Sequence, residues 1–150
     1  MTTSCKVSIC VPTYNRPELL VECLDSCLAQ THTNIEILIG DDSNDTRTQQ
    51  LIATRYAHDA RIRYVRNEPS LGQARNVASL FARATGDRIA LIHDDDYFTN
   101  DGIESLLALW QQHPQLEVAF ADQYEVDAQG HFDTAKSAAV NEAFHRNAAA

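Results

Sequence analysis

Basic side chains are scarce in this chain of 150 residues, in which 12 Lys and Arg face 21 Asp and Glu for a formal net charge of −9. The sequence has no basic stripe that could neutralise a phosphate backbone. A nucleic acid or an anionic membrane surface is therefore not expected as a partner. An anionic small ligand would instead need a metal ion or local arginines at its site.

Long apolar runs and a leader sequence are also lacking. The strongly apolar runs are only strand-sized, and the first residues, MTTSCKVSIC, lack the basic and apolar regions of a signal peptide. We therefore expect a cytoplasmic protein, with membrane association only through segments outside this chain. All four cysteines lie in the first 27 residues. They suggest no disulfide framework, and we expect Cys23 and Cys27 to be small buried residues on one face of a helix.

An acidic cluster follows an apolar run in residues 86 to 98, GDRIALIHDDDYF. The apolar run Ile89 to Ile92 predicts a strand covered on both faces, and it leads through His93 into Asp94, Asp95 and Asp96. Adjacent carboxylates repel one another unless a cation lies between them or they point into water. Mg²⁺ and Mn²⁺ prefer such hard oxygen ligands. A solvated acidic turn is the alternative.

A second candidate region is the turn after the first predicted strand, Val7 to Val11. The turn has four residues of interest, namely Thr13, Tyr14, Asn15 and Arg16. Ligands of open α/β sheets bind at such strand-to-helix turns, so Tyr14 could stack on a planar base and Arg16 could reach a phosphate. Asn15 is the predicted N-cap of the next helix, with Glu18 three residues later. An ordinary capped turn with an exposed tyrosine is the alternative.

Two further motifs lie at predicted strand and helix ends. The strand Ile35 to Ile39 is followed by Gly40 and two aspartates, of which Asp42 could accept hydrogen bonds from a base or ribose or cap the following helix. Ser70 and Gln73 form a predicted capping box for a later helix. Arg75 lies early in that helix, where it could meet a phosphate, a base or a carboxylate, or could be a plain surface residue.

The alternation of strand and helix patterns predicts one α/β domain with a mostly parallel sheet and helices on both faces. Ile62 to Val65 alternates apolar and polar residues, which indicates an edge strand. Val118 to Phe120 is predicted to begin another strand, and Asp127 to Gly130 a hairpin turn. We assign residues 1 to 134 to the domain and residues 135 to 150 to a tail with little pattern. We expect the chain to be cut near this tail or the tail to be loosely defined.

Four motifs in order, VSICVPTYNRPELL, IEILIGDDSNDT, SLGQARNVA and GDRIALIHDDDYF, resemble the family 2 glycosyltransferases of GT-A fold over about residues 4 to 127. The resemblance implies that Pro12, Thr13 and Tyr14 line a nucleobase pocket in which Asp42 hydrogen-bonds the base. It also implies that Arg75 reaches the base and ribose from the start of its helix.

The same resemblance implies a metal site for Mn²⁺ or Mg²⁺. Asp94 would lie near the ribose, and Asp95 would be the main metal-binding carboxylate with Asp96 close by. Two registers of the family's D-x-D pattern remain open. One places His93 at the first acidic position, which is a departure from the family, and the other uses Asp94 and Asp96.

The function implied is the transfer of a sugar, with inversion, from a nucleotide-diphosphate sugar to an acceptor hydroxyl in polysaccharide, lipid-linked oligosaccharide or glycoprotein assembly. Uridine is the expected base. The family's general base is expected beyond residue 150, so the chain is expected to be the donor-binding part of the enzyme. A noncatalytic GT-A-like domain that binds nucleotide sugars or serves assembly is the alternative.

Overall fold

The structure, a computed structural model, describes residues 5 to 127 and 129 to 148. Its helices and strands are, in chain order, β1 (Val7–Thr13), α1 (Pro17–Leu28), β2 (Ile35–Asp41), α2 (Arg47–Leu51, continued by a π-helical turn, Ile52–Tyr56), β3 (Ile62–Arg66), α3 (Gln73–Arg83), β4 (Arg88–Leu91), α4 (Gly102–Gln112) and α5 (Thr134–Ala148). The chain forms two compact units, which meet in sequence between Leu107 and Ala108. No helix in the described part of the chain is long and apolar enough to cross a membrane.

The first unit contains a four-stranded sheet in the order β3, β2, β1, β4, in which every neighbouring pair is parallel. This arrangement confirms the predicted parallel α/β sheet, and it confirms that the strand from Ile62 lies at an edge. Parallel strands bring their carboxyl ends to one side of the sheet. The residues that follow β1, β2 and β4 therefore meet at that side.

Helices cover both faces of the sheet. The side chains of β1 and β2 alternate between these two faces, so both faces contribute to the core. On one face, Ile9 and Ile37 belong to a core cluster that includes Leu24 of α1. On the other face, Cys10 and Leu38 pack with Leu80 of α3. Burial on both faces explains why β1 and β2 have nearly continuous apolar sequences.

The four cysteines are free thiols in the structure. Cys23 and Cys27 are fully buried in the core cluster under α1. A hydrogen bond with Cys27, together with burial, raises the pKa of the Cys23 thiol above its usual range. These two residues therefore act as small core side chains.

A buried carboxylate, Glu36 in β2, ties three segments together near the amino end of the sheet. Its Oε1 accepts hydrogen bonds from Ser8 Oγ at 2.6 Å and from the backbone N of Thr85 at 2.8 Å. Its Oε2 lies 3.1 Å from Lys6 Nζ and 3.2 Å from Arg63 Nη1. Burial acts to raise the pKa of Glu36, but the hydrogen bonds from Ser8, Thr85 and Lys6 outweigh it and hold that pKa at about 2.

The prediction that both faces of the strand before the acidic cluster are covered is wrong for the described chain. Ile89 and Leu91 of β4 are 40% and 43% exposed. The physical reason is position, because β4 is the last strand at its end of the sheet. An apolar run predicts a strand, but the neighbours that cover it are a property of the tertiary structure.

The second unit contains less regular structure than predicted before residue 134 and more after it. Val118 to Phe120 do not form a strand, and both named residues are exposed. Val126 and Phe132 form an isolated antiparallel bridge around the predicted turn, of which residue 128 lies outside the described residues. The predicted tail instead contains helix α5, whose sequence has only a weak apolar stripe.

Candidate functional site

A cleft of about 420 Å³ lies at the carboxyl side of the sheet in the first unit. Five residues predicted for the site line it, namely Pro12, Thr13, Tyr14, Arg16 and Asp42. Four residues that were not predicted for the site also line it, namely Ser70, Gly72, Gln73 and Asn76, and so does His93, which one register of the D-x-D pattern places at its first position. The strand-end motifs therefore converge as the parallel topology requires.

Asp94 is one of three buried aspartates at this side of the sheet, together with Asp41 and Asp42. Its side chain is almost inaccessible, and its Oδ2 accepts a 2.7 Å hydrogen bond from Thr13 Oγ1 at the end of β1. Its Oδ1 lies 2.6 Å from Arg16 Nη2, yet receives no aligned hydrogen bond from any residue that the structure describes. Burying a carboxylate is costly without an opposite charge. Arg16 supplies that charge.

Asp95 and Asp96 lie at the surface. Asp95 Oδ2 is 2.7 Å from Arg16 Nη1, with the aspartate side chain about half exposed. Asp96 is exposed, and its backbone N donates to the carbonyl oxygen of His93 at 3.1 Å, which closes a turn. No group of three or more His, Cys, Asp or Glu side chains within the described ranges is arranged to hold a metal ion.

The donor set nevertheless fits a divalent cation. Asp94 and Asp95 already share one positive group, Arg16, and the buried Oδ1 of Asp94 lacks an aligned hydrogen-bond donor among the described residues. Mg²⁺ and related ions commonly take only one or two protein carboxylates, with water and phosphate oxygens as the other ligands. The pair therefore provides what such an ion needs from the protein.

The turn after β1 has a strained residue at its centre. Asn15 has a left-handed backbone, with φ of 55°, and its N donates to Ser43 Oγ at 2.8 Å while its Oδ1 accepts from the N of Asn44 at 3.0 Å. The predicted N-cap role of Asn15 is wrong, because α1 is preceded by Arg16 and has no side-chain cap. Asn15 instead joins the turns after β1 and β2, and its strain is typical of functional turns.

Tyr14 stands at the edge of the cleft with 49% of its surface exposed. Its hydroxyl accepts a 2.8 Å hydrogen bond from Asn44 Nδ2. This bond anchors the polar end of the side chain and leaves ring surface accessible. The arrangement suits stacking against a planar ligand.

Asp42 organises the loop that precedes α3. Its Oδ1 accepts hydrogen bonds from Asn67 Nδ2 at 2.8 Å and from the N of Leu71 at 3.2 Å, while its Oδ2 accepts from the N of Gly72 at 2.8 Å. The predicted capping box at the start of α3 is wrong. The residue before α3 is Gly72, with φ of 78° and no side-chain cap of its own, so the distant carboxylate of Asp42 binds the free N–H groups there.

The preceding aspartate, Asp41, has a structural role. It is fully buried, and its Oδ1 accepts from the N of Ser43 while its Oδ2 accepts from the hydroxyl of Tyr64 at 2.6 Å. Burial and this hydrogen bond raise the pKa of Tyr64 well above its usual range. Of the two adjacent carboxylates, Asp42 is the one that lines the cleft.

Asn76 is a buried residue of the site that the sequence pattern did not indicate. Its Nδ2 donates to the carbonyl oxygen of Gly40 at 2.8 Å, and its Oδ1 accepts from Asn67 Nδ2 at 3.1 Å. A Cβ at Gly40 would clash with Asn76 Oδ1, so a larger residue there would require Asn76 to move. The buried residues of α3 are Asn76 and Leu80, whereas the apolar side chain of Phe81 is 41% exposed.

Arg75 is not among the residues that line the cleft. It is exposed on α3, and its Nε donates to the carbonyl oxygen of Leu71 at 2.9 Å. Contact between Arg75 and a base or ribose therefore stays a prediction.

The sequence matches the family model of glycosyl transferase family 2 over residues 8–145. The chain belongs to this family, and its sheet is that of the GT-A fold. Chondroitin synthase of Escherichia coli is 30% identical over 125 residues, which cover 83% of this chain and 18% of that protein. Glycosyltransferase GlyG of Streptococcus pneumoniae is 30% identical over 121 residues, which cover 81% of this chain and 40% of that protein. The chain thus spans less than half the length of both relatives.

The solved structures similar to this chain include two in complex with nucleotide sugars. The crystal structure of S. aureus TarS 1-349 in complex with UDP-GlcNAc has a TM-score of 0.66 at 26% identity, over 73% of this chain and 32% of that one. The mannosyltransferase PcManGT of Pyrobaculum calidifontis, in complex with GDP-Man and Mn²⁺, has a TM-score of 0.65 at 22% identity, over 73% of this chain and 33% of that one. The second similarity concerns the fold alone.

Proposed function

We propose that this chain is the donor-binding part of a metal-dependent, inverting glycosyltransferase that takes its sugar from a nucleotide-diphosphate sugar. The observation that carries the proposal is a cleft lined by Tyr14, Asp42 and Arg16, in which the Arg16 guanidinium forms ion pairs with the carboxylates of Asp94 and Asp95. A uridine nucleotide is the expected donor because the similar TarS fragment is in complex with UDP-GlcNAc.

The base would bind between the turn that contains Tyr14 and the loop that Asp42 holds. Tyr14 presents ring surface for stacking, and Asp42 also lines the cleft. Asp42 accepts three hydrogen bonds from its own loop. We expect it to hold this loop and to bind the base at the same time. Pro12 and Thr13 would form the floor, and Arg75 would approach the ribose.

The diphosphate would lie beside the acidic cluster, with Mn²⁺ or Mg²⁺ held by Asp94 and Asp95 and with Asp96 close by. When bound, the metal would stabilise as a Lewis acid the negative charge that grows on the leaving diphosphate. Thr13 orients Asp94 through its 2.7 Å hydrogen bond. No general base is assigned in this chain, and we expect that group and the acceptor site outside it.

Calorimetric titration of UDP, GDP and dTDP into the purified chain tests the proposal, first with Mn²⁺ and then with excess chelator. We expect UDP to bind in the presence of Mn²⁺ and to lose most of its affinity in chelator. Asp94→Asn should remove this dependence, because a neutral amide is a poor metal ligand. Asp101→Asn is the matched control, since Asp101 is exposed and lies outside the cleft lining.

Binding of none of the three nucleotides by the wild-type chain would overturn the donor-site assignment. Metal-dependent binding of UDP-sugar without transfer or hydrolysis, by a longer chain that includes the following segments, would favour the noncatalytic alternative. Release of UDP by that longer chain, with Mn²⁺ and an acceptor present, would support the enzyme.

A further inference from the structure

Arg16 occupies the position that the two carboxylates share. Its Nη2 lies 2.6 Å from Asp94 Oδ1 and its Nη1 lies 2.7 Å from Asp95 Oδ2, so the two ends of one guanidinium contact two different carboxylates. A divalent cation that binds both oxygens would require this same space. The guanidinium and the ion exclude each other there, both by contact and by like charge.

The contact between Arg16 and Asp94 brings opposite charges close together, but its hydrogen-bond geometry is poor. Asp94 Oδ1 is buried and lacks an aligned hydrogen bond from the described residues, although Arg16 is close. Pairs of a carboxylate and a guanidinium are frequently bidentate, with two parallel N–H···O hydrogen bonds. Arg16 therefore neutralises a buried charge without making the best bond that its chemistry allows.

Arg16 can also leave this position at little structural cost. Its side chain is 45% exposed, so its movement toward solvent would not open a cavity in the core. It follows the left-handed residue Asn15 and precedes α1, so the backbone of its turn is held in place independently of its side chain. Asp94, which is almost fully buried, cannot follow it.

We infer that Arg16 is an internal counter-cation that holds Asp94 and Asp95 in the metal-free protein and that a divalent metal must displace. This competition weakens binding of the metal alone, since the free energy of metal binding is reduced by the cost of displacing Arg16. The displaced guanidinium is a natural partner for the donor diphosphate, which arrives with the metal. Metal and nucleotide are therefore expected to bind cooperatively, and Arg16 contributes to their coupling. This inference rests on the proposed donor site.

The experiment is a titration of the full chain with Mn²⁺ in the absence of nucleotide, with free Mn²⁺ measured by electron paramagnetic resonance. Arg16→Gln removes the competing charge and should bind Mn²⁺ on the order of tenfold more tightly than the wild type. Arg16→Lys keeps a charge that can contact only one carboxylate, so its affinity should lie between the two. Arg55→Gln removes an arginine that pairs with Asp25, and neither residue lines the cleft, so this variant should leave Mn²⁺ affinity unchanged.

Thermal unfolding supplies a second readout that does not depend on activity. In chelator, Arg16→Gln should melt below the wild type, because Asp94 then keeps a buried charge without a cation. Saturating Mn²⁺ should raise the melting temperature of Arg16→Gln more than that of the wild type. Circular dichroism establishes that each variant is folded before titration. If Arg16→Gln does not fold, the comparison rests on Arg16→Lys.

Equal Mn²⁺ affinity in the wild type and the folded Arg16 variants would overturn the inference. If both still bound UDP in a Mn²⁺-dependent manner, the proposed donor site would stand without it. Absence of Mn²⁺ binding in the wild type and in the variants, with or without UDP, would overturn the inference and the metal site together.

Discussion

The buried carboxylate of Glu36 leads to a prediction about stability and pH. Its pKa falls from 4.5 to about 2 on folding. At roughly 1.4 kcal/mol per pKa unit, ionisation of Glu36 contributes about 3 kcal/mol to the free energy of unfolding at neutral pH. Hydrogen bonds from Ser8 and Thr85 supply most of this, because solvent screens the ion pairs with the more exposed Lys6 and Arg63.

The sign of the pH dependence follows from the lowered pKa. The contribution is fully present above the unfolded pKa of about 4.5 and is lost as the pH falls through that value toward the folded pKa of about 2. Glu36→Gln keeps an oxygen acceptor but lacks the charge. We therefore expect this variant to be less stable than the wild type by about 3 kcal/mol at pH 7, with the difference shrinking between about pH 4.5 and pH 2.

Urea unfolding followed by circular dichroism measures this difference at pH 7, 5, 4 and 3. Glu22→Gln is the matched control, because Glu22 is exposed on α1 and should change stability by less than about 0.5 kcal/mol. A difference between the wild type and Glu36→Gln that stays constant from pH 7 to pH 3 would refute the reasoning, since the effect would then not come from the charge.

Three further predictions concern the cleft. Asp95→Ala combined with Asp96→Ala should abolish metal-dependent UDP binding in calorimetry without changing the urea midpoint, since both side chains are exposed; unchanged affinity would reject them as metal ligands. Tyr14→Ala should weaken binding of uridine as well as UDP by about tenfold, as expected for a lost stacking contact; a loss confined to UDP would mean that Tyr14 does not contact the base. Gly40→Ala should destabilise the domain by about 1–3 kcal/mol in urea unfolding, because its Cβ meets Asn76 Oδ1; wild-type stability would mean that Asn76 can move without cost.

The sequence predicted the sheet well where local pattern and environment agree. The runs at β1 and β2 are apolar throughout and are buried on both faces. The run from Ile89 was read by the same rule, but β4 lies at an edge and is partly exposed. Local pattern predicts that a strand forms, whereas its position in the sheet depends on which strands the rest of the chain supplies.

The candidate site was predictable where chemistry follows a strand end. Tyr14, Arg16 and Asp42 do line one cleft, because parallel strands bring their carboxyl ends together. The partners of these residues were not predictable. Asp42 binds the N–H groups before α3 from 30 residues away in sequence, and a local capping rule instead selected Ser70.

The sequence by itself therefore determined the family, the strand and helix order of the first unit, and the residue types gathered at the carboxyl side of the sheet. These follow from apolar periodicity and from motifs that are local in the chain. Only the tertiary structure decided how charge is distributed among the three aspartates. Asp94 is buried against Thr13, Asp95 is half exposed, and Arg16 lies between them. Burial and ion pairing depend on distances across the fold, and three consecutive aspartates in a sequence carry no information about those distances.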